Sequence, residues 1–404
     1  MAEISQSHLK ILIVALLALL ILGAEQALLG IYIAERSTNG TGFAASTNFG
    51  GTFFALHAIG AAVTILCSML PILTAATTLI VRLALACLGA GLITLTLSNH
   101  WLADLCASFV MGLGFGGINL GFNGFIAQNF QKYRTLLLNK LNAAFGIGAV
   151  LAPSLLVFPS VTIGHVFAVS GTLALILLFG VSNLDSNTVT PGATLNRRVL
   201  QPIINWHHWA PAALVASLVF GLAVETSLIA WLPSTLRNWG MSNAQIAELM
   251  AHYFLYFLAA RIVATVLSQR LSASLLVFTS VVGTAAVLGL VATGMVEQSS
   301  VAIAGGFIAL LFPNLFGVTA EKLGNSQRGN AVLMLGGLTG AMVGPSLVGL
   351  LASVWPGVDL GNILALLSIG AALLVITVLA ATKGFSLSQH QPSQRISMVD
   401  AKEA

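Results

Sequence analysis

The most constraining feature of this chain is a series of twelve apolar stretches, each about as long as a membrane span. A helix needs about 20 apolar residues to cross the hydrocarbon core of a bilayer. Together the twelve stretches take up most of the 404 residues. The predicted spans are 11–33, 48–71, 78–98, 101–127, 140–158, 163–183, 209–233, 244–268, 273–294, 299–320, 329–354 and 360–382.

The composition supports a membrane protein. Of all residues, 57% are hydrophobic and only 7% are charged, whereas about 25% of the residues in a soluble domain are charged. A chain this apolar has to use the bilayer as its solvent. The formal charge of +4 does not indicate a nucleic-acid partner, because the basic residues are scattered between apolar runs and form no patch. The sequence therefore predicts an all-α protein surrounded by lipid.

One long polar interruption divides the twelve spans into two sets of six. It covers 184–207 and falls between the sixth and seventh spans. We therefore predict an N-terminal six-helix bundle over 1–183 and a C-terminal six-helix bundle over 208–383. The interruption is predicted to be a cytoplasmic linker, and the polar segment 384–404 a disordered cytoplasmic tail.

A glycine–proline pattern occurs once in each half. Gly148 and Pro153 in the first half are echoed by Gly340 and Pro345, just under half the chain length later. A half-length repeat in a chain with many spans is typical of transporters built from two related bundles. Proline removes a backbone hydrogen bond and bends a helix, so Pro153 and Pro345 are predicted to be conformational hinges. The predicted fold is twelve transmembrane helices in two pseudo-symmetric bundles.

Lysine and arginine indicate the orientation. If the N-terminus is cytoplasmic, 13 of the 16 basic residues fall on the cytoplasmic side, Arg36 and Arg237 fall outside, and Arg261 lies within a span. Short cytoplasmic loops are enriched in basic residues. We therefore predict a multi-pass protein of the plasma (inner) membrane with both termini in the cytoplasm.

Two carboxylates lie inside predicted spans. Glu25 is in the first span and Glu225 is in the seventh, at matching places in the two halves. A carboxylate at the centre of a span costs at least about 2.5 kcal/mol on insertion scales, so it is a functional candidate by default. We expect both to face a shared cavity and to bind a coupling proton, a sodium ion or a solute hydroxyl. The alternative is a structural role in holding helices together.

The remaining candidates for binding a solute or coupling ion are polar or aromatic side chains inside spans. Histidine titrates near neutral pH, a side-chain amide donates to and accepts from a hydroxyl, and a tyrosine ring can stack on a sugar face. The candidates are Gln26, His57, Asn119, Asn142, His252 and Tyr256. Each also admits a purely structural role in helix packing. Arg261 is interpreted as a gate residue or one that reaches toward the membrane surface.

No enzyme motif is present. The chain contains no nucleotide-binding loop, no HExxH, no CxxC and no Gly-x-Ser-x-Gly. The sequence therefore favours a non-enzymatic protein without a cofactor or a metal site. We expect a monomer whose partners are a small-molecule substrate, a coupling proton or sodium ion, and the bilayer.

With twelve spans in two halves and a long central loop, the chain resembles the major facilitator superfamily. The segments 114–125, 141–149 and 225–227 are similar to the fucose/glucose/galactose symporter group. The resemblance implies a proton- or cation-coupled sugar importer that alternates between inward-open and outward-open states. In that group, acids in the first and fourth spans carry the coupling. Glu25 or Gln26 falls at the first position, whereas Asn119 occupies the second, and an amide cannot exchange a proton.

These observations lead to three hypotheses. The first is a secondary transporter of a small polar solute, a sugar or polyol, in which Glu25 couples transport or orients the solute. The second is an exporter of amphipathic compounds or of a siderophore, which a cavity lined by aromatic and aliphatic side chains would favour. The third is a receptor or assembly partner that has a transporter fold and does not transport. The sequence supplies both polar and apolar lining residues and does not decide among them.

Overall fold

The computed structural model describes residues 6–39, 47–68, 77–130, 133–181, 209–267, 270–323, 327–355 and 357–382. The predicted linker over 184–207 and the predicted tail over 384–404 lie outside the described residues. Within the described ranges, the chain forms twelve helical segments long and apolar enough to cross a membrane. The twelve spans predicted from the sequence are therefore confirmed.

Nine long helices come first: α1 (Gln6–Asn39), α2 (Thr47–Ser68), α3 (Thr77–Leu97), α4 (Trp101–Asn129), α5 (Arg134–Leu155), α6 (Ile163–Gly180), α7 (Trp209–Asn238), α8 (Asn243–Leu267) and α9 (Ala273–Ala292). The tenth span consists of a 3-10 turn (Gln298–Ile303), α10 (Ala304–Ile308) and α11 (Leu311–Lys322). The last two spans are α12 (Gln327–Val354) and α13 (Leu360–Ala381).

The helices pack as two sets. In the N-terminal half, α1 contacts α5 and α6, α2 contacts α4, and α3 contacts both α4 and α6. In the C-terminal half, α7 contacts α12 and α13, α8 contacts α10, and α9 contacts α13. The main helix pairs that join the halves are α1 with α7, α2 with α12, and α5 with α8. This is the arrangement of two six-helix bundles that the sequence predicts.

The repeated glycines make the same contact in both halves. A Cβ atom at Gly148 on α5 would overlap the carbonyl oxygen of Leu20 on α1, and one at Gly340 on α12 would overlap that of Val219 on α7. Lipid supplies no hydrophobic force between helices, so close approach of backbones through small residues is a main source of association. The sequence repeat is therefore a packing repeat.

A second close contact between the same pairs of helices places its glycine on opposite helices in the two halves. In the N-terminal half, Gly23 lies on α1 against the backbone of Phe145 on α5. In the C-terminal half, the glycine is on the other helix, where Gly337 on α12 packs against the side chain of Leu222 on α7. In both halves, one member of the facing pair is small and the other is large.

Several of the contacts between the halves lie toward one end of the molecule. We call the end where α6 finishes and α7 begins the linker end, and the other the opposite end. A Cβ at Gly30 on α1 would overlap the carbonyl oxygen of Ile229 on α7, toward the opposite end. Nearby, Ser346 on α12 donates a hydrogen bond to the carbonyl oxygen of Gly51 on α2 at 3.1 Å.

The two predicted hinge prolines differ in their surroundings. Pro153 lies in the last turn of α5, which ends at Leu155. Pro345 lies well inside α12, and its carbonyl oxygen accepts a hydrogen bond from Nε1 of Trp231 on α7 at 2.9 Å. The hinge role of both prolines stays a prediction.

Candidate functional site

A buried polar cluster lies in the N-terminal half. Nε2 of His57 on α2 is 2.7 Å from Oε1 of Glu25 on α1, and Nε2 of Gln26 donates to Oε2 of Glu25 at 3.1 Å. Glu25 is 1% exposed. The ring of Phe115 on α4 meets the His57 ring edge to face, with centroids 5.5 Å apart. Both oxygens of a fully buried carboxylate are therefore partnered, and three of the predicted site residues come together.

The packing of α2 determines which way the side chain of His57 points. The exposed residues of α2, which include Ile59, Val63 and Leu66, lie on the side of the helix opposite to His57 at 3.6 residues per turn. Gly112 on α4 lets that helix approach the backbone of His57 so closely that a Cβ would overlap its carbonyl oxygen. The imidazole is thereby directed toward α1.

A second acid–base pair lies in the C-terminal half. An Nη atom of Arg261 on α8 is 3.8 Å from Oε1 of Glu225 on α7, and the two side chains are 34% and 8% exposed. The guanidinium also lies over the ring of Phe257, 4.4 Å from its centroid. The interpretation of Arg261 as a residue that reaches toward the membrane surface is therefore wrong, because its charge is directed to an acid within the bundle.

Two polar atoms beside this pair are buried without a hydrogen bond. They are Oε2 of Glu225 and the hydroxyl of Tyr253, neither of which has a hydrogen-bond partner among the described residues. Tyr253 interacts electrostatically with both Glu225 and Arg261. Buried polar atoms are normally hydrogen-bonded, so unpaired ones mark a place where a ligand or water can bind.

The two carboxylates lie at the same depth. The crossing of α1 and α7 brings Gly30 against Ile229. Glu25 precedes Gly30 by five residues, and Glu225 precedes Ile229 by four. With a rise of about 1.5 Å per residue, both acids lie roughly 6–8 Å from the crossing, on its linker side. Each half therefore contributes one acid to the same level of the molecule.

The structure corrects the register between the two acids. Ala24 packs against Gly148 with the geometry that Ala223 has against Gly340. Ala24 and Ala223 are therefore equivalent positions. Two residues further along each helix are Gln26 and Glu225, so the residue equivalent to Glu225 is Gln26, and Glu25 lies one residue before it. One residue corresponds to about 100° of rotation around a helix. The acids thus share a level, although they do not occupy equivalent positions.

The two asparagine candidates lie apart from the acids. Nδ2 of Asn119 donates to the carbonyl oxygen of Phe115 on its own helix at 3.0 Å, and its side chain is half-buried one turn from the His57 cluster. Asn142 is exposed on α5 and is not part of the hydrogen-bonded cluster of Glu25, Gln26 and His57.

His252 and Tyr256 belong to a different place. Their rings stack with centroids 6.5 Å apart, and both line a cleft of about 510 Å³ between α8 and the 3-10 turn, together with Glu248 and Glu297. His252 is nine residues before Arg261, which puts the two side chains on opposite sides of α8. The structure therefore does not bring His252 and Tyr256 to the acids.

Sequence reasoning missed the partner of Glu225. The signal was present, because a charge inside a span normally pairs with another and Arg261 follows Glu225 in the next span. Tyr253 and Phe115 were not identified as neighbours of the two pairs. Within the described ranges, no group of three or more histidine, cysteine, aspartate or glutamate side chains is arranged to hold a metal ion.

Comparison with known proteins gives the fold but no sequence relative. No protein-family model matches the chain, and no curated protein matches it. Among solved structures, a D-xylose–proton symporter is similar with a TM-score of 0.70 and 16% identity, over 94% of this chain and 99% of the symporter. The nucleoside transporter NupG is similar with a TM-score of 0.70 and 11% identity, over 94% and 100%.

A third solved structure is a bacterial homologue of the human lysosomal transporter Spinster, in an inward-facing, unoccupied conformation. It is similar with a TM-score of 0.65 and 13% identity, over 95% of this chain and 98% of the homologue. The similarity to these three transporters confirms the predicted fold class of twelve helices in two bundles. It supports this fold and not the fucose/glucose/galactose group in particular.

Proposed function

We propose that this protein is a secondary active transporter that moves a small polar solute by alternating access. The observation that carries the proposal is the 2.7 Å contact between His57 and a fully buried Glu25 within a fold shared with transporters. An ionisable pair at membrane depth costs stability and is retained where it does chemistry. The solute would bind between the halves near the level of the two acids.

The Glu25–His57 pair is suited to carry the coupling proton. A nitrogen and an oxygen 2.7 Å apart would repel through their lone pairs unless a proton lay between them. With His57 neutral and Glu25 ionised, the pair has a net charge of −1, and uptake of one further proton makes it neutral. A neutral cluster crosses between inward-open and outward-open states at a lower electrostatic cost. The loaded carrier therefore reorients more easily than the deprotonated one.

Two amides, one beside this pair and one a helical turn away, favour a solute with several hydroxyl groups. The hydrogen bonds that Gln26 and Asn119 donate in the described part of the chain use their amide nitrogens. Their carbonyl oxygens can accept hydrogen bonds from solute hydroxyls. Two of the structural neighbours are named for xylose and nucleosides, which are solutes of this kind. We therefore assign a sugar or polyol as the solute class.

The proposed topology follows the distribution of basic residues. Both termini and the linker over 184–207 lie in the cytoplasm, and the protein acts as a monomer in the plasma membrane. Bending of α5 and α12 at Pro153 and Pro345 accompanies the change between the two states.

Transport by purified protein in liposomes tests this function. Liposomes loaded with a pH-sensitive dye receive single sugars, polyols and sugar acids from outside, and solute entry is followed in parallel by counterflow of a radiolabelled solute. We expect at least one solute to exchange and to bring protons into the lumen. Absence of both counterflow and proton entry across the panel would favour a receptor or assembly partner.

A further inference from the structure

Arg261 faces the interior of the molecule. On α8, Leu258 lies against Gly146 of α5, and the backbone of Tyr253 lies against Gly305 of α10. At 3.6 residues per turn, Arg261 projects between these two sides, toward the space that the halves enclose. The exposed apolar residues of α8 lie on the other side and include Leu255, Ile262, Val263 and Val266.

The contact between Arg261 and Glu225 is loose. The Arg261 nitrogen and Oε1 of Glu225 are 3.8 Å apart, which exceeds the 2.7–2.9 Å that is usual for a charge-assisted hydrogen bond. The contact involves one carboxylate oxygen, whereas an arginine can bind a carboxylate through both. Oε2 of Glu225 and the hydroxyl of Tyr253 make no hydrogen bond among the described residues. About a third of the Arg261 side chain is exposed although it lies on the interior side of its helix.

We infer that Arg261 binds a carboxylate group of the transported solute, and that Glu225 is the anion that balances Arg261 when no solute is bound. The inference rests on the proposed function and narrows the solute class to sugar-sized hydroxy acids, such as aldonates and uronates. The planar guanidinium matches a carboxylate through two parallel hydrogen bonds. The Phe257 ring lies beneath one face of the guanidinium, and a guanidinium donates its hydrogen bonds from its edge.

Charge balance couples this site to a proton. The guanidinium and one carboxylate are neutral together, whereas a solute carboxylate added to an ionised Glu225 leaves one uncompensated negative charge in a medium of low dielectric. Glu225 therefore takes a proton from the water of the cavity as the solute carboxylate binds to Arg261. On release, the proton returns to water and Glu225 again faces Arg261. One carboxylate and one proton enter and leave together.

Few other ionisable groups act on Glu225. Those facing it from α8 are Arg261 and Tyr253. The other described helices packed on α7 are α1, α11, α12 and α13. Glu25 is the acid of α1 at this level and is bound to His57. The described part of α12 that follows residue 331 contains no ionisable residue, and the other charges of α1, α11 and α13 lie near the helix ends.

Paired ligands test the site on the purified full-length protein. Gluconate is compared with sorbitol, and galacturonate with galactose, because the members of each pair differ mainly in the carboxylate. Affinity is measured from the rise in unfolding temperature with ligand concentration. We expect the wild-type protein to bind at least one carboxylate about tenfold more tightly than its neutral partner, a preference that weakens as pH rises.

Variants of the pair assign the effect. Arg261→Gln should abolish the preference, Arg261→Lys should keep part of it, and Glu225→Gln should keep it and remove its pH dependence. If Arg261→Gln does not fold, the double variant Glu225→Gln with Arg261→Gln removes both charges together and should bind the members of each pair equally. Equal binding of both members by the wild-type protein, binding of neither, or a preference that survives loss of Arg261 would overturn the inference.

The outcomes separate this inference from the proposed function. Proton-coupled counterflow of neutral sugars alone would leave the transporter proposal standing and would remove the carboxylate site. Carboxylate binding through Arg261 without counterflow or proton movement in liposomes would leave the carboxylate site standing and would remove the transporter proposal.

Discussion

The two halves of this molecule hold an acid at the same depth and neutralise it in different ways. In the N-terminal half, Glu25 is fully buried and lies 2.7 Å from His57, with a second bond from Gln26. In the C-terminal half, Glu225 lies 3.8 Å from Arg261, and one of its oxygens has no hydrogen bond among the described residues. The first pair is short and closed, and the second is long and partly open.

The chemical difference between the partners gives the halves different tasks. Histidine gains and loses a proton near neutral pH, so the N-terminal pair can change its charge during a cycle. Arginine keeps its charge under all physiological conditions, so the C-terminal pair always presents a positive group to the cavity. We infer that the N-terminal pair handles the driving proton, and that the C-terminal pair holds the solute and takes up a proton only together with a solute carboxylate.

The largest expected effect follows from removing the two acids in turn. Glu25→Gln should reduce the uptake of a neutral solute driven by a pH gradient to the level of empty liposomes, because the amide cannot exchange a proton. Solute exchange without a gradient should persist, since the side-chain volume and the hydrogen bond to His57 are kept. Uptake and exchange are measured with the same radiolabelled solute in proteoliposomes.

The matched variant Glu225→Gln should retain most of its gradient-driven uptake of the same neutral solute. If Glu25→Gln keeps full gradient-driven uptake, or if both variants lose it equally, the assignment of proton handling to one half is wrong.

A smaller effect is expected from substitutions at the glycine contact that the two halves share. Gly148→Ala and Gly340→Ala each force a methyl group into a backbone carbonyl oxygen of the neighbouring helix. Overpacking of this kind costs about 1–3 kcal/mol, so both variants should lower the free energy of unfolding by similar amounts. Denaturant titration in mixed micelles measures it.

Gly124→Ala is the control for this comparison, because a Cβ there has no neighbouring atom within 4 Å. It should be neutral or should stabilise by up to about 1 kcal/mol through helix propensity. A large cost in one half only would contradict the structural equivalence of the two glycines.

The smallest expected effect concerns a contact made in one half only. Ser346 and Ser154 each donate to a carbonyl oxygen in the preceding turn, at 2.9 and 2.8 Å, but only Ser346 also reaches Gly51 across the two halves. Loss of that bond should cost about 0.5–1.5 kcal/mol and should weaken closure at the opposite end. Ser346→Ala should therefore shift the population toward separated halves, and Ser154→Ala should not.

Spin labels at Asn48 and Val354, both near the opposite end, report this population as a distribution of distances. An unchanged distribution in Ser346→Ala, or the same change in both variants, would show that the cross-half bond does not hold this end closed.

The number of spans and the paired glycines could be predicted from the sequence, because length and apolarity determine whether a helix can cross a bilayer. The rotation of each helix could not. A helix that is apolar on all sides carries no stripe that tells one face from another. His252 and Tyr256 were therefore grouped with the acids, although the structure places them in a separate cleft.

The tenth span is predicted from the sequence as one unbroken span, whereas Ala309 and Leu310 separate α10 from α11. The signal lies in Gly305, Gly306 and Pro313, because glycine weakens a helix and proline is tolerated in its first turn. Gly305 of α10 makes a close contact with the backbone of Tyr253 on α8, so the local path of the chain depends on a neighbour that is distant in sequence. The one-residue offset between Glu25 and Glu225 has the same origin, because register between the halves is set by contacts and not by counting.

The exchanged pair in the two bundles shows that either of two packed helices can supply the small residue that lets them approach. Gly23 lies against the backbone of Phe145 in one half, and Gly337 lies against the side chain of Leu222 in the other. A methyl group at Gly23 would meet a backbone carbonyl that cannot turn away, whereas one at Gly337 would meet the end of a leucine side chain that can rotate. The two exchanged contacts therefore differ in how readily they accept a larger residue.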